Sequence, residues 1–160
     1  MRYSLNHRML ESLLLKGVSC SSLGETHRLS AEFALALSKD KIVYFHGDLG
    51  SGKTSFIQGM AKTYGIQTSI TSPTFNLWHH YKGSVNLFHL DAYRLHSPEE
   101  TDHLYLEDFL VSPYVICIEW PEKLLDGYLK PHFHLWFSQK KEHPNERIIR
   151  LSPEDFVLNS

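Results

Sequence analysis

The chain has 160 residues, 42% of them hydrophobic and 21% charged, with a formal net charge of −2. That size suits one domain with its own core, and the charge excludes a global positive field drawing the molecule onto nucleic acid. Cys20 and Cys117 are the only cysteines, far apart and without a CxxC pair, which excludes a disulfide scaffold and fits a reducing, cytoplasmic setting.

Residues 1–20 carry no motif and are read as an N-terminal extension, or as a first strand or helix, ahead of a single domain over 21–160. The apolar stretch at Met9–Leu15 is short and broken by Glu11, unlike a secretory signal, and no segment has the apolar length of a bilayer span. Ser22-Leu23-Gly24-Glu25 has capping-box spacing, and Leu23, Thr26, Leu29, Phe33 and Leu37 recur at helical intervals up to Ser38. Lys39-Asp40-Lys41 turns into an apolar strand over 42–46, and a helix is expected from Lys53 to about Tyr64, ended by Gly65.

Residues 68–76, rich in Thr and Ser around Pro73, read as an exposed loop. Leu77–Tyr81 and Val85–Leu90 read as a hairpin turning at Lys82-Gly83-Ser84. Ser97-Pro98-Glu99-Glu100 looks like a helix start, with a helical pair across 98–110. Val115–Ile118 is a continuous apolar run typical of a strand covered on both faces, with Cys117 as a small core residue. Two late strands, about 132–138 and 146–151, flank a polar loop at 139–145. The whole predicts an α/β fold with a central, mainly parallel sheet and flanking helices.

The residues Gly47-Asp48-Leu49-Gly50-Ser51-Gly52-Lys53-Thr54 match G-x-x-x-x-G-K-[ST] between that strand and that helix. In such a loop the backbone N–H groups and the positive helix end converge on nucleotide phosphates, so ATP or GTP with magnesium is the expected ligand. Lys53 would reach the β- and γ-phosphates and Thr54 would offer its hydroxyl to Mg2+. Two apolar strands each end in an acid, Asp91 and Glu119. If both run parallel to the strand feeding the loop, the two carboxylates face the phosphate crevice. One would complete the metal shell and the other position an attacking water; the alternative is a solvated strand end.

Thr71-Ser72-Pro73-Thr74-Phe75 offers three hydroxyls that would order around a γ-phosphate, or else forms an ordinary Ser/Pro turn. Trp120 stands at the mouth of the site, either covering the nucleotide or a partner or capping the core. His132 and His134 share strand spacing without a third ligand at recognisable distance.

The ordered set of the loop, Ser72-Pro73-Thr74-Phe75, His89-x-Asp91-x-Tyr93-Arg94-Leu95, Pro98-Glu99-Glu100 and Glu119-Trp120-Pro121 resembles the bacterial threonylcarbamoyladenosine biosynthesis ATPases of the TsaE (YjeE) family over about residues 21–150. The resemblance implies a compact P-loop NTPase-like domain that hydrolyses ATP to ADP. It also implies support for the complex that places threonylcarbamoyl on N6 of adenosine 37 in ANN-reading tRNAs. TsaD and TsaB would be its partners, with tRNA met through them. Carried over by position, Leu49, Gly50, Ser51, Gly52, Lys53 and Thr54 hold the phosphates, Thr54 and Glu119 bind Mg2+, and Asp91 is an essential acid beside it. Thr26 lies near the base. Ser51 replaces a usual alanine, and the late loop lacks a familiar glycine, leaving Lys141 as the basic residue assigned to the nucleotide there.

A small-molecule kinase is the rival enzyme. Its acceptor site needs a lid bearing arginines, and the six arginines here (Arg2, Arg8, Arg28, Arg94, Arg147 and Arg150) do not cluster in one. A nucleotide-binding module without hydrolysis is the other alternative, opposed by the intact Lys53, Thr54, Asp91 and Glu119.

Overall fold

The computed structural model describes residues 7–73 and 77–152. Helix α1 (His7–Lys16) and a short strand β1 (Val18–Cys20) precede α2 (Leu23–Ala36), β2 (Lys41–His46) and α3 (Lys53–Thr63). Strands β3 (Trp78–Tyr81), β4 (Asn86–Asp91), β5 (Tyr114–Glu119), β6 (Phe133–Lys140) and β7 (His143–Leu151) follow. They form one seven-stranded sheet in the order β1-β7-β6-β2-β5-β4-β3.

The centre of the sheet is parallel: β6, β2, β5 and β4 run the same way. Only the outer pairings, β3 with β4, β6 with β7 and β7 with β1, are antiparallel. This is the expected α/β architecture, with the 77–90 hairpin and both acid-ended strands in the expected directions. Residues 7–20 are part of it, since β1 zips onto β7 with Cys20 opposite Arg147.

Alternation along the central strands splits the core in two. Val43, Phe45, Leu87, Val115, Cys117 and Leu135 face the helices, where Phe33, Phe56, Ile57 and Met60 meet them. Ile42, Phe88, Leu90, Ile116 and Ile118 face the other way, under Leu104, Leu106 and Leu124. Helices α2 and α3 lie close because Gly59 has no side chain: a Cβ there would sit 1.8 Å from Ser30 Oγ and 3.0 Å from His27 Cα.

Helix ends obey local chemistry. Ser22 Oγ accepts from Glu25 N–H at 3.2 Å, and Glu25 reaches back to Ser21 N–H at 2.7 Å, a capping box shifted by one residue. Gly65 adopts φ +75° after α3, where Ile66 N–H bonds Ala61 O and Gly65 N–H bonds Lys62 O, the Schellman pattern.

Two expectations are corrected. The helical pair at 98–110 consists of 3-10 turns, Pro98–His103 and Leu106–Phe109, separated by Tyr105 in the left-handed region. The proline and acids announce a helix start correctly, but no run long enough to propagate an α-helix follows. The polar 139–145 stretch is largely strand, because β6 continues to Lys140 and β7 begins at His143. Among the described residues, no helix is long and apolar enough to cross a membrane.

Candidate functional site

The turn between β2 and α3 is shaped by glycine. Gly47 has φ +136°, and a Cβ on it would come within 2.4 Å of Phe137 O, so the strand–loop junction presses directly on β6. Gly52 (φ +105°) caps α3 in the left-handed region without a side-chain bond, which leaves the N–H groups of the first helical turn free of a capping side chain. Gln139 of β6 ties the loop from outside, donating from Nε2 to Gly50 O at 2.9 Å.

Lys53 is buried, with Nζ donating to Gly47 O at 2.6 Å and Asp48 O at 2.9 Å. The same ammonium stands 4.4 Å from the centre of the Trp120 ring. Burial lowers its pKa, opposed by the negative charges of Glu119, Asp91, Glu122 and Asp48. Trp120 takes a left-handed backbone (φ +58°) directly after β5 and packs against Tyr93 with centroids 5.0 Å apart. Trp120 is partly buried against the core layer of Leu90, Ile118 and Leu124, as its core-capping reading expects, and its ring also stands over the lysine.

Parallel pairing makes Asp91 and Glu119 direct neighbours at the ends of β4 and β5. Thr54, at the second position of α3, donates from Oγ1 to Glu119 Oε1 at 2.8 Å. Ser72 Oγ lies 3.4 Å from the same hydroxyl, bringing the segment after α3 to the site; Thr74 and Phe75 of that segment lie outside the described residues. His89 is fully buried on β4, and its Nε2 meets Glu119 Oε1 at 2.9 Å while Nδ1 has no partner. An unpaired buried polar atom of this kind costs about 1–3 kcal/mol.

Leu49, Lys53, Thr54, Asp91, Glu119 and Trp120 line a cavity of about 190 Å³, with His89 behind its wall. Asp91 has its pKa raised, first by burial and also by Glu119, with the Tyr93 N–H, His89 and Lys53 pulling the other way. Oxygen donors from two carboxylates and a hydroxyl, next to a glycine loop of the G-x-x-x-x-G-K-[ST] pattern, fit magnesium by hardness. A divalent cation would also offset the mutual repulsion of the two acids.

A second cavity of about 270 Å³ shares Gly50, Gly52 and Ser55 with the first and extends to Thr26, Asn145 and Arg147. Thr26 is buried, its hydroxyl donating to Ser22 O at 3.2 Å. Lys141 borders a neighbouring cleft with Gly47, Asp48, Ser51 and Phe137, which shares Ser51 with the first cavity. The Thr26 cavity instead receives Asn145 and Arg147, which sequence reading missed. Their signal, a two-residue spacing on one face of a strand, gains meaning only once β1 is known to lie beside β7. The histidines at 132 and 134 make ordinary contacts: His132 Nδ1 accepts from Ile42 N–H, and His134 stacks on His46.

Comparison with known proteins places this geometry in context. The family model described as "Threonylcarbamoyl adenosine biosynthesis protein TsaE" matches residues 20–149. Among similar proteins is the tRNA threonylcarbamoyladenosine biosynthesis protein TsaE of Rickettsia prowazekii, 37% identical over 141 residues, 87% of this chain and 96% of the relative. The protein of that name from Synechocystis is 38% identical over 109 residues, covering 64% and 68%. The crystal structure of Bacillus subtilis YdiB superposes with a TM-score of 0.57 at 26% identity, covering 84% of this chain and 82% of that one. The chain belongs to the TsaE family.

Proposed function

We propose that this TsaE-family member is a magnesium-dependent ATPase that serves the threonylcarbamoylation of tRNA, acting in the cytoplasm with the TsaB and TsaD transferase proteins. The observation carrying the reading is the 2.8 Å contact of Thr54 with Glu119, made where the phosphate loop enters its helix and beside Asp91.

The backbone N–H groups of Leu49–Thr54 and the α3 terminus bind the phosphates. Lys53 exchanges the carbonyls of Gly47 and Asp48 for β- and γ-phosphate oxygens, while Trp120 limits water above it. Thr54 Oγ1 and a Glu119 oxygen would hold the metal, a hydroxyl being able to donate its hydrogen to Glu119 while keeping lone pairs for the cation. Magnesium, when bound, neutralises charge developing on the phosphate oxygens. Asp91 orients the attacking water and accepts its hydrogen bond at the carboxylate. The base and sugar extend past Gly50 and Gly52 toward Thr26 and Arg147.

Support for this reading comes from the donor set and the family; the chemistry is tested by ADP release from purified protein. Slow, magnesium-dependent hydrolysis that changes in rate when TsaB, TsaD and tRNA are added is the expected result. Complete absence of hydrolysis in every combination would overturn the ATPase reading.

A further inference from the structure

We infer that His89 is a positioning residue for the metal centre, holding the Glu119 carboxylate in the orientation that a divalent cation requires. The inference rests on the metal-nucleotide reading above and adds to it a residue with no direct access to the ligand.

His89 sits on β4, between β5 and the edge strand β3, with no exposed surface and flanked by Leu87, Phe88 and Leu90, each also fully buried. Across the ladder its register partners are Cys117 on β5 and His79 on β3. Such a position favours an aliphatic side chain, since packing gains nothing from an imidazole. The ring's hydrogen-bond contact runs from Nε2 to Glu119 Oε1, at 2.9 Å, and Nδ1 is left without a partner. With a carboxylate as the partner, Nε2 is the donor of this bond.

Glu119 Oε1 is thus gripped from two directions. Thr54 reaches it from the first turn of α3 and His89 from the adjacent strand, at 2.8 and 2.9 Å. Two donors on one oxygen fix the rotation of the carboxyl group and leave the second oxygen for another partner. When Thr54 also serves a cation, His89 remains the donor that belongs to no ligand. Hydrogen-bonded support of a ligating carboxylate commonly governs metal affinity by about 10–100-fold.

The test uses the full chain and two substitutions, His89→Leu and His89→Gln. Mn2+ binding to the ADP-loaded protein is followed by electron paramagnetic resonance, and ADP binding in EDTA by calorimetry. H89L is expected to weaken Mn2+ by about 10-fold or more while ADP affinity in EDTA stays within about twofold of the parent, a change of about 0.4 kcal/mol. H89Q, whose amide can donate to Glu119, is expected to recover much of the loss. Unchanged Mn2+ affinity in H89L, an equal loss of ADP affinity in EDTA, or no recovery in H89Q would each overturn the inference. Should H89L not fold, H89N replaces it, because the shorter amide cannot span to Glu119, and equal Mn2+ affinities in H89N and H89Q would overturn it. A parent protein that binds ADP but no Mn2+ would remove the metal-centre reading itself, and this inference with it.

Discussion

Replacing Glu119 by glutamine separates what the side chain does for the fold from what it does for the ligand. Both donors, Thr54 Oγ1 and His89 Nε2, meet the same oxygen. A glutamine at this position can present its amide oxygen there and retain both bonds. Hydrogen bonds to a charged acceptor contribute about 1.5–3 kcal/mol and neutral ones about 0.5–1.5, so the pair weakens by about 2–3 kcal/mol. Against this, Glu119 is only 4% exposed, and keeping an ion so far from water costs several kcal/mol. Repulsion with Asp91 also disappears. The net change is about 1 kcal/mol in either direction, a melting shift of about 2–4 °C for a chain of this size. Metal binding has no such compensation, because the amide nitrogen repels a cation where the carboxylate oxygen attracted it. Mn2+ affinity of the ADP complex is expected to fall at least about tenfold, which corresponds to 1.4 kcal/mol. Thermal melts in EDTA and paramagnetic titration of Mn2+ measure the two effects in one preparation. A melting point lowered by more than about 10 °C, far beyond the 2–4 °C per kcal/mol scale, or an unaltered Mn2+ affinity, would refute this account of Glu119.

Asp91→Asn should stabilise the ligand-free protein at pH 7. Burial holds this carboxyl above its ordinary range, so the native state binds its proton at higher pH than the unfolded chain; its contribution to stability is present below the unfolded value, falls as pH rises through the interval between the two, and is a full penalty above the folded value. The asparagine variant is expected to melt about 1–4 °C higher at pH 7 in EDTA and to match the parent at a pH below the ordinary carboxylate range, while ATP turnover falls; a lower melting point at pH 7 would contradict it. Arg147→Ala should weaken ADP by about tenfold, the scale of a lost charge-assisted bond, equally with and without Mn2+, as read by calorimetry. A purely metal-dependent loss would place Arg147 in the wrong cavity. Gly59→Ala should destabilise by about 1–3 kcal/mol through overpacking against Ser30, seen in urea melts, and Ser30→Ala should restore part of it; additive losses would refute the packing origin.

The elements nearest the site were the most legible in the sequence, because each carries its own local signal. A continuous apolar strand, a glycine turn and an amphipathic helix define the loop wherever they occur together. The acids Asp91 and Glu119 were found by the same token, as the polar ends of apolar runs, and parallel pairing then set them side by side. What stayed hidden depends on partners distant in the chain. The three residues of β1 are too few to show a period, so the approach of Arg147 to the loop could not be read before Cys20 paired with it. Lys141 stands out through its charge in a polar stretch, but which cleft it borders, the one with Gly47, Asp48 and Ser51, depends on the short turn joining β6 and β7. His89 belonged to a recognised motif, yet its bond to Glu119 follows from the register of β4 on β5 and from nothing in its own neighbourhood.

The account turns on one divalent cation shared by a loop hydroxyl and a strand-end carboxylate. Crystals grown with Mn2+ and a non-hydrolysable ATP analogue, measured at the manganese absorption edge, locate that ion directly. A single anomalous peak about 2.0–2.2 Å from both Thr54 Oγ1 and a Glu119 oxygen, at hard-cation coordination distance, with Asp91 facing the same ion, is the expected result. A peak held by the phosphates alone, with Glu119 still bonded to Thr54 and His89 and out of reach of the metal, would contradict it.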